Sequence, residues 1–207
     1  MQSDRPKQYL MLHDQTLLER VINVFSAMSC IEKVVVVLNA NDPYWSTQRF
    51  HHPEKILTTL GGKERVDSVL RGLQFLADFS EENDFVLVHD AARPFVCTQD
   101  ILNLLENVRA HTIGGLLGLP IVDTIKKVDS HDEIEKTVSR EQLWIAQTPQ
   151  CFRYGLLKRA IENALSKNQT VTDESSAVEL LGLKPKIILG NPRNIKVTLP
   201  GDLVLAT

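Results

Sequence analysis

Apolar residues recur along the chain with two periods. From Thr16 onward, Leu18, Val21, Ile22, Phe25 and Met28 follow helical spacing, and Thr16-Leu-Leu-Glu19 supplies a capping box ahead of them. Lys33–Leu38 (KVVVVL) is β-branched and continuous, the pattern of a buried strand, and Asn39-Ala-Asn-Asp-Pro43 closes it with turn residues. A short strand near Lys55–Thr59 runs into Gly61-Gly62, after which Val66, Val69, Leu70, Leu73 and Leu76 mark an amphipathic helix. Phe85-Val-Leu-Val88 predicts a strand buried on both faces. A helix carrying Ile101, Leu102, Leu105 and Val108 follows, then an apolar strand over Ile113–Val122. This alternation predicts βαβ units and a mostly parallel sheet covered on both sides.

The rhythm changes at Asp123. Ile125–Val128, a polar turn at Asp129–Glu133 and Ile134–Val138 predict a charged β-hairpin with too little apolar surface to stand alone. The expectation is an arm that packs on something else, a second copy of the chain in particular; the alternative is a solvated flap. After Gln147-Thr-Pro-Gln150 the α/β pattern resumes. One helix face holds Leu156, Leu157, Ala160, Ile161 and Ala164, and Thr172-Asp-Glu-Ser opens another helix with Gly182 at its C′ position. Strands are predicted at Lys186–Leu189 and Ile195–Thr198, with Pro200 opening a last helix.

Composition narrows the class. At 207 residues, length argues for one domain spanning 1–207, with the hairpin arm at about 124–147 as its excursion. A net charge of -3 gives no electrostatic case for nucleic acid or an anionic membrane. No apolar run approaches the ~20 residues of a membrane helix, and MQSDRPKQYL lacks the apolar core of a signal peptide. Cys30, Cys97 and Cys151 are far apart and without CxxC spacing, which fits a reducing cytoplasm and argues against a zinc site. His51 and His52 read as solvated loop residues.

Four polar clusters fall where predicted strands end or helices begin. They are Pro6-Lys7-Gln8, Gly61-Gly62-Lys-Glu-Arg65-Val-Asp-Ser68, His89-Asp90-Ala-Ala-Arg93, and Asn194-Ile-Lys196-Val-Thr198. A carboxylate at the carboxyl end of a buried strand is costly without a cation or hydrogen bonds. Two readings of Asp90 stand: a ligand for a divalent metal beside an anionic substrate, or an Asp–Arg pair closing a turn. Paired glycines before a helix let backbone N–H groups approach an anion, or merely make a turn. Together the clusters put two lysines, two arginines and a carboxylate around a highly anionic ligand. That equipment suits phosphoryl or nucleotidyl transfer, in which catalysis is largely positioning and charge neutralisation.

The motifs PKQYL, GGKERVDSV, VLVHDAARPF, Asp123-Thr124, VSREQLWIAQTPQCF, TDESSAVE and NIKVT, in that order, resemble those of the 2-C-methyl-D-erythritol 4-phosphate cytidylyltransferases. The resemblance covers essentially the whole chain from Lys7. It implies a Rossmann-like nucleotidyltransferase fold with an arm that clasps a partner subunit. It also implies a Mg²⁺-dependent reaction of CTP with methylerythritol phosphate, giving the CDP-alcohol and pyrophosphate. Carried over motif by motif, Lys7 would neutralise the CTP phosphates and the transition state. Gly62, Lys63 (through its backbone) and Ser68 would read the cytosine, with Arg65 supporting their loop. Asp90 would hold Mg²⁺ and Ala91 would touch the ribose. Arg93, Thr148 and Lys196 would hold the sugar phosphate, and Thr124 and Arg140 would reach it from the partner's arm. No protein nucleophile is called for.

The ribitol 5-phosphate cytidylyltransferases share the HDA-x-RPF and TPQ elements; Ala92 and Leu143-Trp144 ahead of AQTPQ resemble the isoprenoid branch more. A non-catalytic dimeric binding module is the alternative from another class. Two departures bear on these readings. The family places a strand and a glycine-rich AAGxGxR-type loop ahead of PKQYL, where this sequence begins with Met1-Gln-Ser-Asp-Arg5. The expectation is a longer natural protein, and slow turnover by the chain as it stands. Arg193 also stands where relatives often carry an acidic residue, which weakens the case for a second carboxylate on the metal.

Overall fold

A computed structural model describes residues 5–198 and 201–202. A small antiparallel pair, β1 (Met11–Leu12) and β2 (Gln15–Thr16), leads into helix α1 (Leu17–Ser26). The capping box is formed: Thr16 Oγ1 accepts from the Glu19 N–H at 3.1 Å, and Glu19 Oε2 accepts from the Thr16 N–H at 2.8 Å. Strand β3 (Val34–Leu38) pairs in parallel with β4 (Ile56–Leu60), and α2 (Arg65–Phe75) follows the Gly61-Gly62 turn. Then come β5 (Phe85–Val88), α3 (Thr98–Arg109) and β6 (Gly114–Pro120). The hairpin is β7 (Ile125–Val128) with β8 (Ile134–Val138), antiparallel and almost wholly exposed. A ten-residue strand β9 (Trp144–Arg153), helices α4 (Tyr154–Ser166) and α5 (Glu174–Glu179), and strand β10 (Lys186–Leu189) complete the order.

The main sheet has the order β10-β6-β9-β5. Strand β10 runs parallel to β6, whereas β9 runs antiparallel to both β6 and β5. The expected mostly parallel sheet is therefore corrected to a mixed one. The reason is β9, whose centre reads Gln-Thr-Pro-Gln and looks like a break between elements. Those polar side chains are buried, and the strand tolerates them because most of their polar atoms find partners, Gln147 Oε1 excepted among the described residues. Gln147 Nε2 donates to the Asn191 carbonyl, and Gln150 donates to Asp173 Oδ2 while accepting from the Ser175 N–H.

Neighbouring β9 residues face opposite ways. Cys151 packs with Val21, Phe25, Leu104 and Val108 of α1 and α3; Phe152 packs with Leu73, Leu157, Ile161 and Val178 of α2, α4 and α5. Helices thus cover both faces of the sheet, as the alternation of elements predicts. Burial pushes the Cys151 thiol up to about 12, so it stays protonated and inert at neutral pH.

Two further expectations need correction. Ile195–Thr198 forms no strand; Val197 is anchored by one bond, its N–H to the Ala92 carbonyl at 2.7 Å. Strand β5, expected to be buried on both faces, and β3, expected to be buried, are both only partly so, since Val36 alone among their residues is buried. Both line a cavity of about 770 Å³ together with α1, α2 and α3. Among the described residues, β3 has β4 as its only strand partner, and β5 has β9. Pro200 lies outside the described residues, as do Met1–Asp4.

Candidate active site

Three carboxyl strand ends converge on one rim. Gly61-Gly62 follows β4, and the Gly62 N–H donates to Ser68 Oγ on the first turn of α2 at 3.0 Å. From that same turn, Arg65 reaches Asp90, which follows β5. Strand β3 is parallel to β4, so β3, β4 and β5 all end at this side. Strand carboxyl ends are where open α/β sheets place their ligands.

Asp90 is the centre of the cluster. Its Oδ1 accepts from Arg65 Nη2 at 3.1 Å and Nε at 3.3 Å, and its Oδ2 meets Lys196 Nζ at 2.8 Å and lies 3.9 Å from Arg93 Nε. Burial alone would raise the Asp90 pKa, but the bonds and charges of Lys196 and Arg65 outweigh it and hold it below the ordinary carboxylate value. Arg65 is itself shared: Nη1 and Nη2 donate to Glu174 Oε1 and Oε2 at 2.6 and 3.1 Å. Arg93 donates from Nη1 to the Asn194 carbonyl at 2.8 Å and from Nη2 to that of Ala146 at 3.3 Å. Its Nε is buried with no hydrogen-bond acceptor among the described residues. The Asp–Arg turn is real as well, since the Arg93 N–H donates to the Asp90 carbonyl at 2.9 Å.

His89 and Thr148 set the backbone of this loop. The Arg93 carbonyl, 3.1 Å from His89 Nε2, can only accept, so Nε2 carries the proton. Nδ1 then accepts the Thr148 hydroxyl proton at 3.0 Å, and Thr148 Oγ1 accepts from the Asp90 N–H at 3.1 Å. Burial pushes His89 down to about 4, so the imidazole is neutral across the physiological range.

Among the residues picked out from sequence, Arg65, Asp90, Arg93, Thr148 and Lys196 line one cleft of about 170 Å³. Lys7, Ser68 and Ala91 line the adjoining larger cavity, which shares Arg65, Asp90 and Lys196 with the first. Gly62 and Lys63 form the turn between β4 and α2. Thr124 and Arg140 line neither cavity; they sit exposed at the base of the hairpin, where Arg140 Nη1 donates to the Val122 carbonyl. The residue missed from sequence is Glu174, only 1% exposed at the start of α5. Its signal is an acid between Asp173, the N-cap, and the buried face of Ser175, Ala177 and Val178, a place that needs a cation.

No three His, Cys, Asp or Glu side chains among the described residues gather as a metal cage. Asp90 alone still suits Mg²⁺, which is commonly held by one or two carboxylates with substrate phosphates and water completing the shell.

A helix-flanked mixed sheet whose strand ends present one carboxylate within a ring of Lys and Arg defines an α/β enzyme of the nucleotidyltransferase class. The sequence profile of the 2-C-methyl-D-erythritol 4-phosphate cytidylyltransferases matches residues 1–207, and the chain belongs to that family. The enzyme of that name from Vibrio vulnificus is 45% identical over 206 residues, covering 100% of this chain and 87% of the relative. The one from Pseudomonas putida is 45% identical over 204 residues, 98% of this chain and 87% of the relative. Among solved structures, the Francisella tularensis enzyme superposes with a TM-score of 0.87 at 34% identity, covering 98% of this chain and 92% of that one. The Thermus thermophilus enzyme gives 0.82 at 30% identity, with 97% and 91% covered.

Proposed function

We infer that the chain transfers the cytidylyl group of CTP to 2-C-methyl-D-erythritol 4-phosphate, releasing pyrophosphate. The observation that carries this reading is the Asp90 carboxylate inside its ring of Arg65, Arg93 and Lys196, in a member of that family. A phosphate oxygen of the sugar phosphate attacks the α-phosphorus of CTP. The new O–P bond forms as the bond from that phosphorus to the bridging oxygen breaks, and pyrophosphate leaves with the electron pair. The protein's part is to bring two polyanions together and to stabilise the charge of the pentacoordinate state.

In this reading Lys196 and Arg93, whose Nε has no other acceptor among the described residues, take the sugar phosphate. Thr148 joins them by turning its hydroxyl proton away from His89. Lys7, at the mouth of the larger cavity, faces the triphosphate. The turn of Gly62, Lys63 and Ser68 reads the cytosine with Arg65 behind it, and Ala91 lies under the ribose. Asp90 would hold Mg²⁺, which when bound offsets triphosphate charge. Thr124 and Arg140 belong to the site of a second subunit, and the hairpin serves as the clasp of a homodimer. Three free thiols suit the cytoplasm.

The test is radiolabelled CTP with methylerythritol phosphate or ribitol 5-phosphate, an assay that sees slow turnover. Labelled CDP-alcohol should form with the first only. Equal turnover of both, or CTP binding without product, would overturn the reading.

A further inference from the structure

The cluster holds one buried acid to which the reaction gives no task. Glu174 starts α5, and its carboxylate is deeply buried. Both of its oxygens accept from Arg65, at 2.6 and 3.1 Å, a fork-on-fork geometry that only the ionised group offers. Burial raises its pKa, and Arg65 offsets part of that. A buried charge kept at such cost behind a cleft-lining arginine invites a reason beyond holding α5 in place.

The reason lies in what Arg65 would otherwise do. Asp90 already meets Lys196 and Arg93 on Oδ2 and Arg65 on Oδ1. A carboxylate neutralised from all sides is a poor ligand for a hard cation, because each neighbouring positive charge repels the incoming one. Glu174 takes the shortest bond to Arg65, 2.6 Å from Nη1, and shares Nη2 with Asp90 at 3.1 Å each, leaving Asp90 alone only the 3.3 Å bond from Nε. The guanidinium is thereby pinned at the rim with its charge divided.

We propose that Glu174 is a positioning residue: it holds Arg65 in place and withdraws part of its charge from Asp90, so that Asp90 can accept a divalent cation with the nucleotide. The inference rests on the assignment of the metal to Asp90. It predicts that losing the Glu174 charge lets Arg65 close on Asp90 and weakens the cation, with little effect on the chemistry once the metal is saturating. A residue that only braced α5 would lower activity and stability together, whatever the Mg²⁺ concentration.

The test measures Mn²⁺ binding to the enzyme–CTP complex by water-proton relaxation, alongside turnover against Mg²⁺, for wild type, E174Q, R65Q, E174Q/R65Q and D90N. E174Q should weaken Mn²⁺ and raise the Mg²⁺ half-saturation by about tenfold, the scale on which one neighbouring charge moves a carboxylate's equilibrium. Its kcat at saturating Mg²⁺ should stay within about threefold of wild type. In the R65Q background the same substitution should change Mn²⁺ affinity less than about twofold, since no guanidinium remains to close. Equal weakening in both backgrounds, or none in E174Q, overturns the proposal alone. Mn²⁺ binding untouched by D90N removes the metal from Asp90 and takes the proposal with it. If E174Q does not fold, E174Q/R65Q carries the test, because it leaves no lone buried charge: affinity near or above wild type supports the proposal, and a tenfold loss overturns it.

Discussion

At Asp90 a single carboxylate faces three cations, and its ionisation follows from them. Its pKa lies below the ordinary ~3.9 of an aspartate in the unfolded chain, so its contribution to stability is present above that value. The contribution is lost as pH falls through the folded-state value. Asp90→Asn should therefore flatten that part of the acid-melting profile while leaving the fold intact at pH 7. The same variant should nearly abolish Mg²⁺-dependent turnover, since an amide is a weak ligand for a hard cation. A variant that retained wild-type Mg²⁺ dependence would free Asp90 of the role. His89 belongs to the same scale. It is neutral from about 4 upward, so the Thr148–His89 bond is not a source of pH dependence between 6 and 8.

Among the elements, β6 shows how little room the sheet leaves. A methyl group added at Gly115 would run into the Lys186 carbonyl of β10 and the Ile188 side chain. Gly115→Ala should destabilise by about 1–3 kcal/mol, the usual cost of overpacking, read as a lower urea midpoint at unchanged slope. An unchanged midpoint would mean that β10 moves aside freely.

Among the described residues, every helix of eight or more residues was legible from spacing, and Thr16-Leu-Leu-Glu19 marked its own helix start because a capping box is local chemistry. β9 was illegible for the opposite reason. Burying Gln147, Thr148 and Gln150 inside a sheet is offset by bonds to Asn191, Asp173, Ser175 and His89, all distant in sequence, although Gln147 Oε1 finds no partner among the described residues. Arg65, Asp90, Arg93, Thr148 and Lys196 were readable as polar clusters at element ends, and the structure brings them to one cleft. Glu174 lies within TDESSAVE but carries no periodic signal of its own. Its meaning depends on Arg65, more than a hundred positions away.

For the molecule as a whole, the exposed hairpin raises the question of assembly. Val122, Val128, Ile134, Trp144 and Ile145 are large apolar residues left in solvent on or beside it. If two copies exchange arms about a two-fold axis, Arg140 works in its partner's site. Homodimers of Arg140→Ala and of Lys196→Ala, each nearly inactive, can be unfolded and refolded together. Random pairing makes half the dimers mixed, and each of these has one site free of both defects, so roughly a quarter of all sites should recover. Mixed dimers that stay as inactive as their parents would place Arg140 in its own subunit's site.

The cavity between β3 and β5 has a mechanical meaning. Among the described residues no ladder of backbone hydrogen bonds crosses it, and the β3–β4 pair is tied to the four-stranded sheet chiefly through side-chain packing, much of it from α1, α2 and α3. Such a joint yields more readily than a continuous ladder, and the two sides are expected to open as separate cooperative units. Hydrogen exchange under native conditions should therefore show the amides of Val34–Leu38 and Ile56–Leu60 opening together, well ahead of those of Gly114–Leu117 and Gln150–Phe152. Simultaneous exchange of both sets would mean that the helices alone weld the halves into one piece.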